Sequence, residues 1–200
     1  MAQVKVGRPN KFDREAAIDI AKNAFWMQGY HALSVNQLAS IMGITRSSLY
    51  NSFGDKQGLF KEALAAYNAA SPIALLQNLP ADAQVIPALQ AFFRENCRSR
   101  IQDQGKQGCL MVNTIGEVIG SDDDLAGEIE AMLLQSIELF EQLIERAVTQ
   151  NEITRPCDAH AIASAITAFL MGFSNLSQVI RDEQQLWNLC QTFLKNYGLE

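Results

Sequence analysis

Ser34-Val35-Asn36-Gln37-Leu38-Ala39-Ser40-Ile41-Met42-Gly43-Ile44-Thr45-Arg46-Ser47-Ser48-Leu49-Tyr50-Asn51-Ser52-Phe53 is the stretch on which the fold turns. Ser34, followed three residues later by Gln37, forms a capping-box pattern ahead of Val35, Leu38, Ala39 and Met42, which are apolar at helical spacing. That helix stops at Gly43 after about two turns. Thr45 then caps a second short helix, whose buried side is Leu49 and Phe53. Helix, glycine turn, helix is the spacing of a helix-turn-helix. Ala39 is small enough for the helices to approach, Gly43 permits a turn that a side chain resists, and Ile44 with Leu49 fills the wedge between them. The outward positions are polar: Thr45, Arg46, Ser47, Ser48 and Asn51.

On the N-terminal side, Asp13 caps a helix with Ala17, Ile20, Ala21, Ala24 and Phe25 at helical spacing and Gly29 at its end. On the C-terminal side, Gly54-Asp55 breaks the chain and caps a fourth helix carrying Leu59, Phe60, Ala63, Leu64 and Tyr67. Beyond Pro72 and Pro80, helices are predicted at 82–104, 108–119, 124–150, 157–181 and 183–197. The breaks between them are short enough for antiparallel neighbours. No period-two strand pattern, internal repeat or low-complexity tract is visible. The expected fold class is all-α: a three-helix helix-turn-helix domain over residues 1–54 and a larger helical domain over 55–200.

With 200 residues, 48% of them apolar, the chain can bury a sizeable core, which excludes the disordered and fibrous classes. The longest apolar run, Ile162 to Phe173, is interrupted by Ser164, Thr167 and Gly172 and is short for a bilayer. The first ten residues lack a signal-peptide pattern. No membrane partner is expected, and the location is expected to be cytoplasmic. Cys97, Cys109, Cys157 and Cys190 show no CxxC pairing and no histidine at ligand spacing, so they read as free thiols. Asp122, Asp123 and Asp124 read as a loop capping the next helix, because EF-hand spacing is missing. No metal or cofactor is expected. His31 and His160 lie in different domains and no Gly-rich phosphate loop or nucleophile-base order appears, so the chain is not expected to be an enzyme.

Charge divides along the chain. Up to residue 61, eight Lys/Arg face four acids, giving +4; the whole chain carries −6, which leaves −10 for the remainder. A basic module joined to an acidic body is suited to meeting phosphate with its first part alone.

At this point the N-terminal residues resemble the TetR family of repressors. The resemblance lies in Phe25-Trp26-Met27-Gln28-Gly29-Tyr30, Ser34-Val35-Asn36-Gln37-Leu38-Ala39, Met42-Gly43-Ile44 and Ser48-Leu49-Tyr50-Asn51-Ser52-Phe53-Gly54-Asp55-Lys56-Gln57-Gly58-Leu59-Phe60, covering about residues 10 to 65. The family usually has Glu where this chain has Gln57. The resemblance implies that Thr45, Arg46, Ser47, Ser48 and Asn51 face the major groove of double-stranded operator DNA. Tyr50 and Lys56 would hold phosphates, and Ser34 would present its helix N-terminus to the backbone. Independently, Arg46 and Asn51 have the donors and acceptors to read base edges. Lys5 and Arg8 resemble a basic arm that some relatives lay into the minor groove, with a merely soluble tail as the alternative.

The resemblance also implies a homodimer through the last two helices, for which Ala165, Leu186, Leu189 and Phe193 are the candidate contacts, and an unknown small-molecule inducer. The candidate inducer-binding residues are Phe93, Cys97, Cys109, Val112, Asn113, Glu117, Phe140, Phe169 and Phe173. Gly108-Cys109-Leu110 resembles a motif of a subgroup in which some members sense electrophiles or oxidants through the cysteine. By their spacing of four, Cys109, Asn113 and Glu117 are expected to share one helix face. The implied function is a ligand-responsive transcriptional repressor on a palindromic operator. Electrophile or oxidant sensing through Cys109, and ligand-independent DNA binding, stand as alternatives. The helix from Leu59 to Tyr67 is the covalent route between the domains.

Overall fold

Short polar side chains fix where most of the helices begin, and the computed structural model, which describes residues 13–120 and 124–200, shows how. Asp13 accepts from the Ala16 amide at the start of α1 (Arg14–Gln28), and Ser34 with Gln37 closes a reciprocal capping box on α2 (Val35–Ile41). Thr45 caps α3 (Arg46–Phe53) and Asp55 caps α4 (Lys56–Ala69). Each such cap satisfies an amide that the helix leaves without a partner, a contribution of about 1 kcal/mol. These are the caps the sequence predicts.

A single turn, α5 (Ala74–Gln77), was not anticipated; it forms in the Pro-bounded connection. The longer helices follow within a few residues of expectation: α6 (Val85–Gln102), α7 (Leu110–Val118), α8 (Asp124–Thr149), α9 (Ala159–Val179) and α10 (Glu183–Tyr197). The start of α6 is capped from a distance, since the Glu152 carboxylate accepts from the amides of Val85 and Ile86, each at 2.8 Å. No strand occurs among the described residues. The chain is all-α. Of the expected Asp122-Asp123-Asp124 cap, Asp122 and Asp123 lie outside the described residues.

Two apolar clusters organise the packing. One joins α6, α8, α9 and α10 around Leu89, Phe93, Phe140, Ile144, Ile166 and Leu186. The other gathers Phe25, Leu38, Leu49, Leu59 and Phe60 from α1 to α4, together with Leu110 and Val118 of α7 and Leu125 and Ile129 of α8. Phe25, Tyr30 and Phe60 meet at its centre, with ring centroids 5.0 to 6.0 Å apart. The expected domain boundary at 54/55 therefore falls just before a helix that is itself part of the first core. Helix α4 belongs to both units, and α7 touches both.

By length and composition α9 is long and apolar enough to cross a membrane, a longer stretch than the interrupted Ile162–Phe173 run. Here the apolar length packs along α8 and leaves a further stripe exposed.

Candidate nucleic-acid interface and effector cavity

The helix-turn-helix is built around two side chains that are shut off from solvent, Leu38 of α2 and Leu49 of α3. Gly43 sits between the helices at φ 66°, in the region that favours glycine, and the Ile44 amide reaches back to the Ala39 carbonyl at 3.0 Å. With Leu49 and Phe53 anchored inward, the opposite side of α3 presents Arg46, Ser47, Tyr50 and Asn51 to solvent, next to exposed Thr45. These five predicted residues form one continuous polar face. The Arg46 guanidinium donates to the Tyr50 hydroxyl at 3.2 Å and lies 5.4 Å from its ring centroid, which holds both side chains together on the surface.

Other predicted interface residues are more engaged. The Thr45 hydroxyl accepts from the Ser48 amide at 3.1 Å and lies 2.9 Å from the Ser48 hydroxyl; Ser48 is half-buried. Ser34 is exposed, but its hydroxyl and amide are both paired with Gln37. The Lys56 ammonium stands 4.0 Å from the centre of the Tyr30 ring, at the beginning of α4. Lys5 and Arg8 lie outside the described residues. Sequence reading missed Arg14, which pairs with Glu62 at 2.6 Å and lies over the Phe53 ring at 5.0 Å, joining α1 to α3 and α4.

Behind this unit lies a cavity of about 150 Å³. Its walls come from the end of α4 (Tyr67, Asn68), from α6 (Phe92, Asn96, Arg100), α7 (Met111, Val112, Ile115), α8 (Leu133, Ser136, Phe140) and α9 (Thr167, Leu170, Phe173, Ser174), with Cys109 ahead of α7. Cys109, Val112, Phe140 and Phe173 were predicted to line it, and the structure brings these four together. The other five predicted lining residues sit elsewhere. Phe93 is fully buried and Phe169 half-buried, in an aromatic stack with Phe193, outside the cavity wall. The Cys97 sulfur is 3.7 Å from that of Cys190 in the core between α6 and α10, as free thiols. Hydrogen bonding to Cys97, and then burial, pushes the Cys190 thiol well above its ordinary range, while the same hydrogen bond lowers the Cys97 thiol.

Asn113 and Glu117 do not join Cys109. The Asn113 amide donates to the Gln107 carbonyl at 2.7 Å. Cys109 precedes the first residue of α7 in an extended conformation, so the spacing of four does not place it on the helix face that it was expected to share. Glu117 instead reaches the helix-turn-helix unit, where its carboxylate accepts from the His31 amide at 3.0 Å beside Gly29.

Arg100 was missed because sequence reading looked for a cation near Cys109 along the chain, and Arg100 comes from the neighbouring helix. A signal was available: Asn96 and Arg100 continue the register of Leu89, Phe92 and Phe93, putting polar side chains on a buried face of α6. In the structure Arg100 is only 7% exposed and donates to the Gly108 carbonyl and, at 3.5 Å, to the Tyr67 hydroxyl. Burial, and then the neighbouring Cys109, pushes the Tyr67 phenol well above its usual value, keeping it a protonated donor.

Two further contacts tie the units. The Gln57 amide donates to Glu128 of α8 at 3.0 Å, and Lys61 pairs with the same carboxylate at 2.5 Å. At the far end, α9 exposes Ala161, Ala168, Gly172, Leu176 and Val179 along one stripe, beside exposed Leu189 and half-buried Phe193 of α10. Ala165 is half-buried on this stripe. Leu186, predicted as an interface contact, is fully buried in its own core and does not reach this face.

Comparison with known proteins follows this architecture. Residues 17–63 match the pattern of bacterial regulatory proteins of the tetR family, and residues 85–193 match the tetracyclin repressor-like C-terminal domain. The chain belongs to the tetR family. Among its relatives, the transcriptional repressor BdcR of Escherichia coli (strain K12) is 30% identical, with 93% of this chain and 88% of that one covered. The uncharacterized regulator YezE of Bacillus subtilis (strain 168) is 28% identical over 90% of this chain and 94% of that one. In three dimensions, a cysteine-substituted TetR-family regulator CifR, solved with 26-base-pair double-strand operator DNA, superposes with a TM-score of 0.81 at 27% identity, covering 94% and 98% of the two chains. As a tetR-family member the protein is a DNA-binding transcriptional regulator, not an enzyme.

Proposed function

We propose that this tetR-family protein is a cytoplasmic homodimeric repressor that a small molecule releases from a palindromic operator. The observation that carries the reading is the location of the cavity: Tyr67 of α4 and Met111, Val112 and Ile115 of α7 form part of its wall, and both helices pack in the core that supports α3. Arg46 and Asn51 would read bases, Tyr50 and Lys56 would hold phosphates, and Thr45, Ser47, Ser48 and Ser34 would fix the approach, with Lys5 and Arg8 as a basic arm. A pair of chains joined through the α9 and α10 stripe would present two such faces. On B-DNA, successive major grooves on one side lie about 34–36 Å apart, so a shift of a few ångströms in α4 makes simultaneous docking costly. DNA-binding repressors among the relatives, BdcR included, support this use of the fold.

Occupancy of the cavity has two routes to α3. One is covalent, through α4; the other runs from α7 through Glu117 to the end of α1. A non-covalent ligand is favoured over a thiol trigger at Cys109. The cavity itself calls for an occupant, and the Cys109 amide is already engaged with the Ser174 hydroxyl at 2.9 Å. The test is to select operators from a random duplex library, then measure binding of the full chain with and without cavity-sized compounds. A palindromic selected site and at least one compound that weakens binding are expected; a protein that selects no sequence refutes the proposal.

A further inference from the structure

Arg100 is a buried cation in the cavity wall. It is 7% exposed and forms no ion pair among the described residues. Its Nε–H has no acceptor among the described residues. The carboxylate that acts on it, Asp103, spends its Oδ2 on the amides of Gln107 and Gly108 at 2.6 and 3.1 Å. A guanidinium cannot shed its proton, and the two groups it donates to, the Gly108 carbonyl and the Tyr67 hydroxyl, are neutral. An anion in the cavity would supply the missing charged partner.

The surroundings define what kind of anion. The wall carries buried polar side chains: Asn96, one turn from Arg100 on α6, and Thr167 are each 7% exposed and Ser174 is 2% exposed, with the Tyr67 hydroxyl beside Arg100. The rest is apolar, supplied by Phe92, Ile115, Leu133, Phe140, Leu170 and Phe173. A cavity of about 150 Å³ accepts a guest about the size of benzene. Free phosphate would satisfy the charge but leave those walls empty.

We propose that the cavity binds a small carboxylic acid as its carboxylate, with a benzene-sized apolar body, and that Arg100 is the counter-ion while Tyr67 donates a second hydrogen bond. The proposal rests on reading the cavity as the effector site. It is tested with the full chain by calorimetry and thermal melting against benzoate, hexanoate, benzamide and inorganic phosphate. Benzoate or hexanoate is expected to bind at least about tenfold more tightly than benzamide, because hydrogen bonds to charged partners are the stronger ones. Phosphate is expected to have no effect.

Arg100→Met, which keeps volume and removes charge, should erase the preference for acid over amide. Tyr67→Phe should weaken acid binding several-fold while preserving the fold, which keeps the test decisive if Arg100→Met does not fold. Equal binding of benzoate and benzamide, failure of both acids to bind, stabilisation by phosphate alone, or unchanged acid affinity in the variants each overturns the proposal. Operator binding is measured alongside. An acid that binds through Arg100 without altering operator affinity supports the anion site and removes the effector reading. A neutral compound that releases DNA, with no acid bound, does the reverse.

Discussion

Replacing Gly29 by alanine should strike the joint between the DNA-facing unit and the effector domain at two separable points. Gly29 ends α1 with φ 87° and ψ 164°, a region that L side chains hardly populate, and occupying it costs about 1–3 kcal/mol. A Cβ there would also stand 2.6 Å from Oε1 of Glu117 and 3.0 Å from its Cδ. The Glu117 side chain must then swing away and release the His31 amide, held at 3.0 Å. That exposed hydrogen bond to a charged group is worth about 1 kcal/mol. The two parts together give about 2–4 kcal/mol, or a fall in Tm of roughly 5–15 °C for a chain of this size.

Urea unfolding of wild type, Gly29→Ala, Glu117→Ala and the double variant separates them. In the Glu117→Ala background, alanine at position 29 should cost about 1 kcal/mol less, since the clash and the hydrogen bond are both gone. Equal cost in the two backgrounds would remove the Glu117 contact from the account. A total cost below about 0.5 kcal/mol would show that the end of α1 relaxes out of this conformation and that the reasoning about the joint is wrong.

At the DNA face, Lys56→Ala should weaken binding to all duplexes alike and lower the salt slope by about one, whereas Arg46→Ala should relax base preference by about 1–3 kcal/mol at one position of the selected operator. A change of operator choice in the lysine variant, with the slope intact, would exchange their roles. Leu189→Glu, on the exposed face of α10, should raise the dimer dissociation constant at least about a hundredfold by light scattering, because burying an unpaired carboxylate costs several kcal/mol; a stable dimer would place the interface elsewhere. Gln57→Glu sets a second carboxylate against Glu128, where an amide now donates at 3.0 Å, so stability should drop by about 1 kcal/mol and recover in part at high salt. An equally stable variant at low salt would mean that this contact does not hold α4 to α8.

Much of the DNA-facing unit was legible because its determinants are local. Caps at Asp13, Ser34, Thr45 and Asp55, the turn at Gly43 and the pair Leu38 and Leu49 act within a few residues of one another, and each formed as the spacing predicts. The all-α class followed from the same local periodicity, as did the helix limits beyond Pro80. The cavity was only partly legible. Helical spacing marks an apolar face without saying which neighbour meets it, so Phe93 and Phe169, expected to touch a ligand, pack against Phe193 instead, and Cys97 meets Cys190. Leu186 looked like interface for the same reason and proved to be core.

By itself, then, the sequence determined the helices other than the single turn α5, the polar face of α3, the charge division and the family. The tertiary structure alone decided which helices share a wall. It carried Arg100 from α6 to the Gly108 carbonyl and the Tyr67 hydroxyl, and it turned Glu117 away from Cys109 toward the end of α1. The physical reason is one of range. Caps, turns and periodicity depend on neighbours along the chain, whereas burial of a charge, the volume of a cavity and the joint between two units depend on side chains brought together from distant positions, as Glu117 and His31 are across 86 residues.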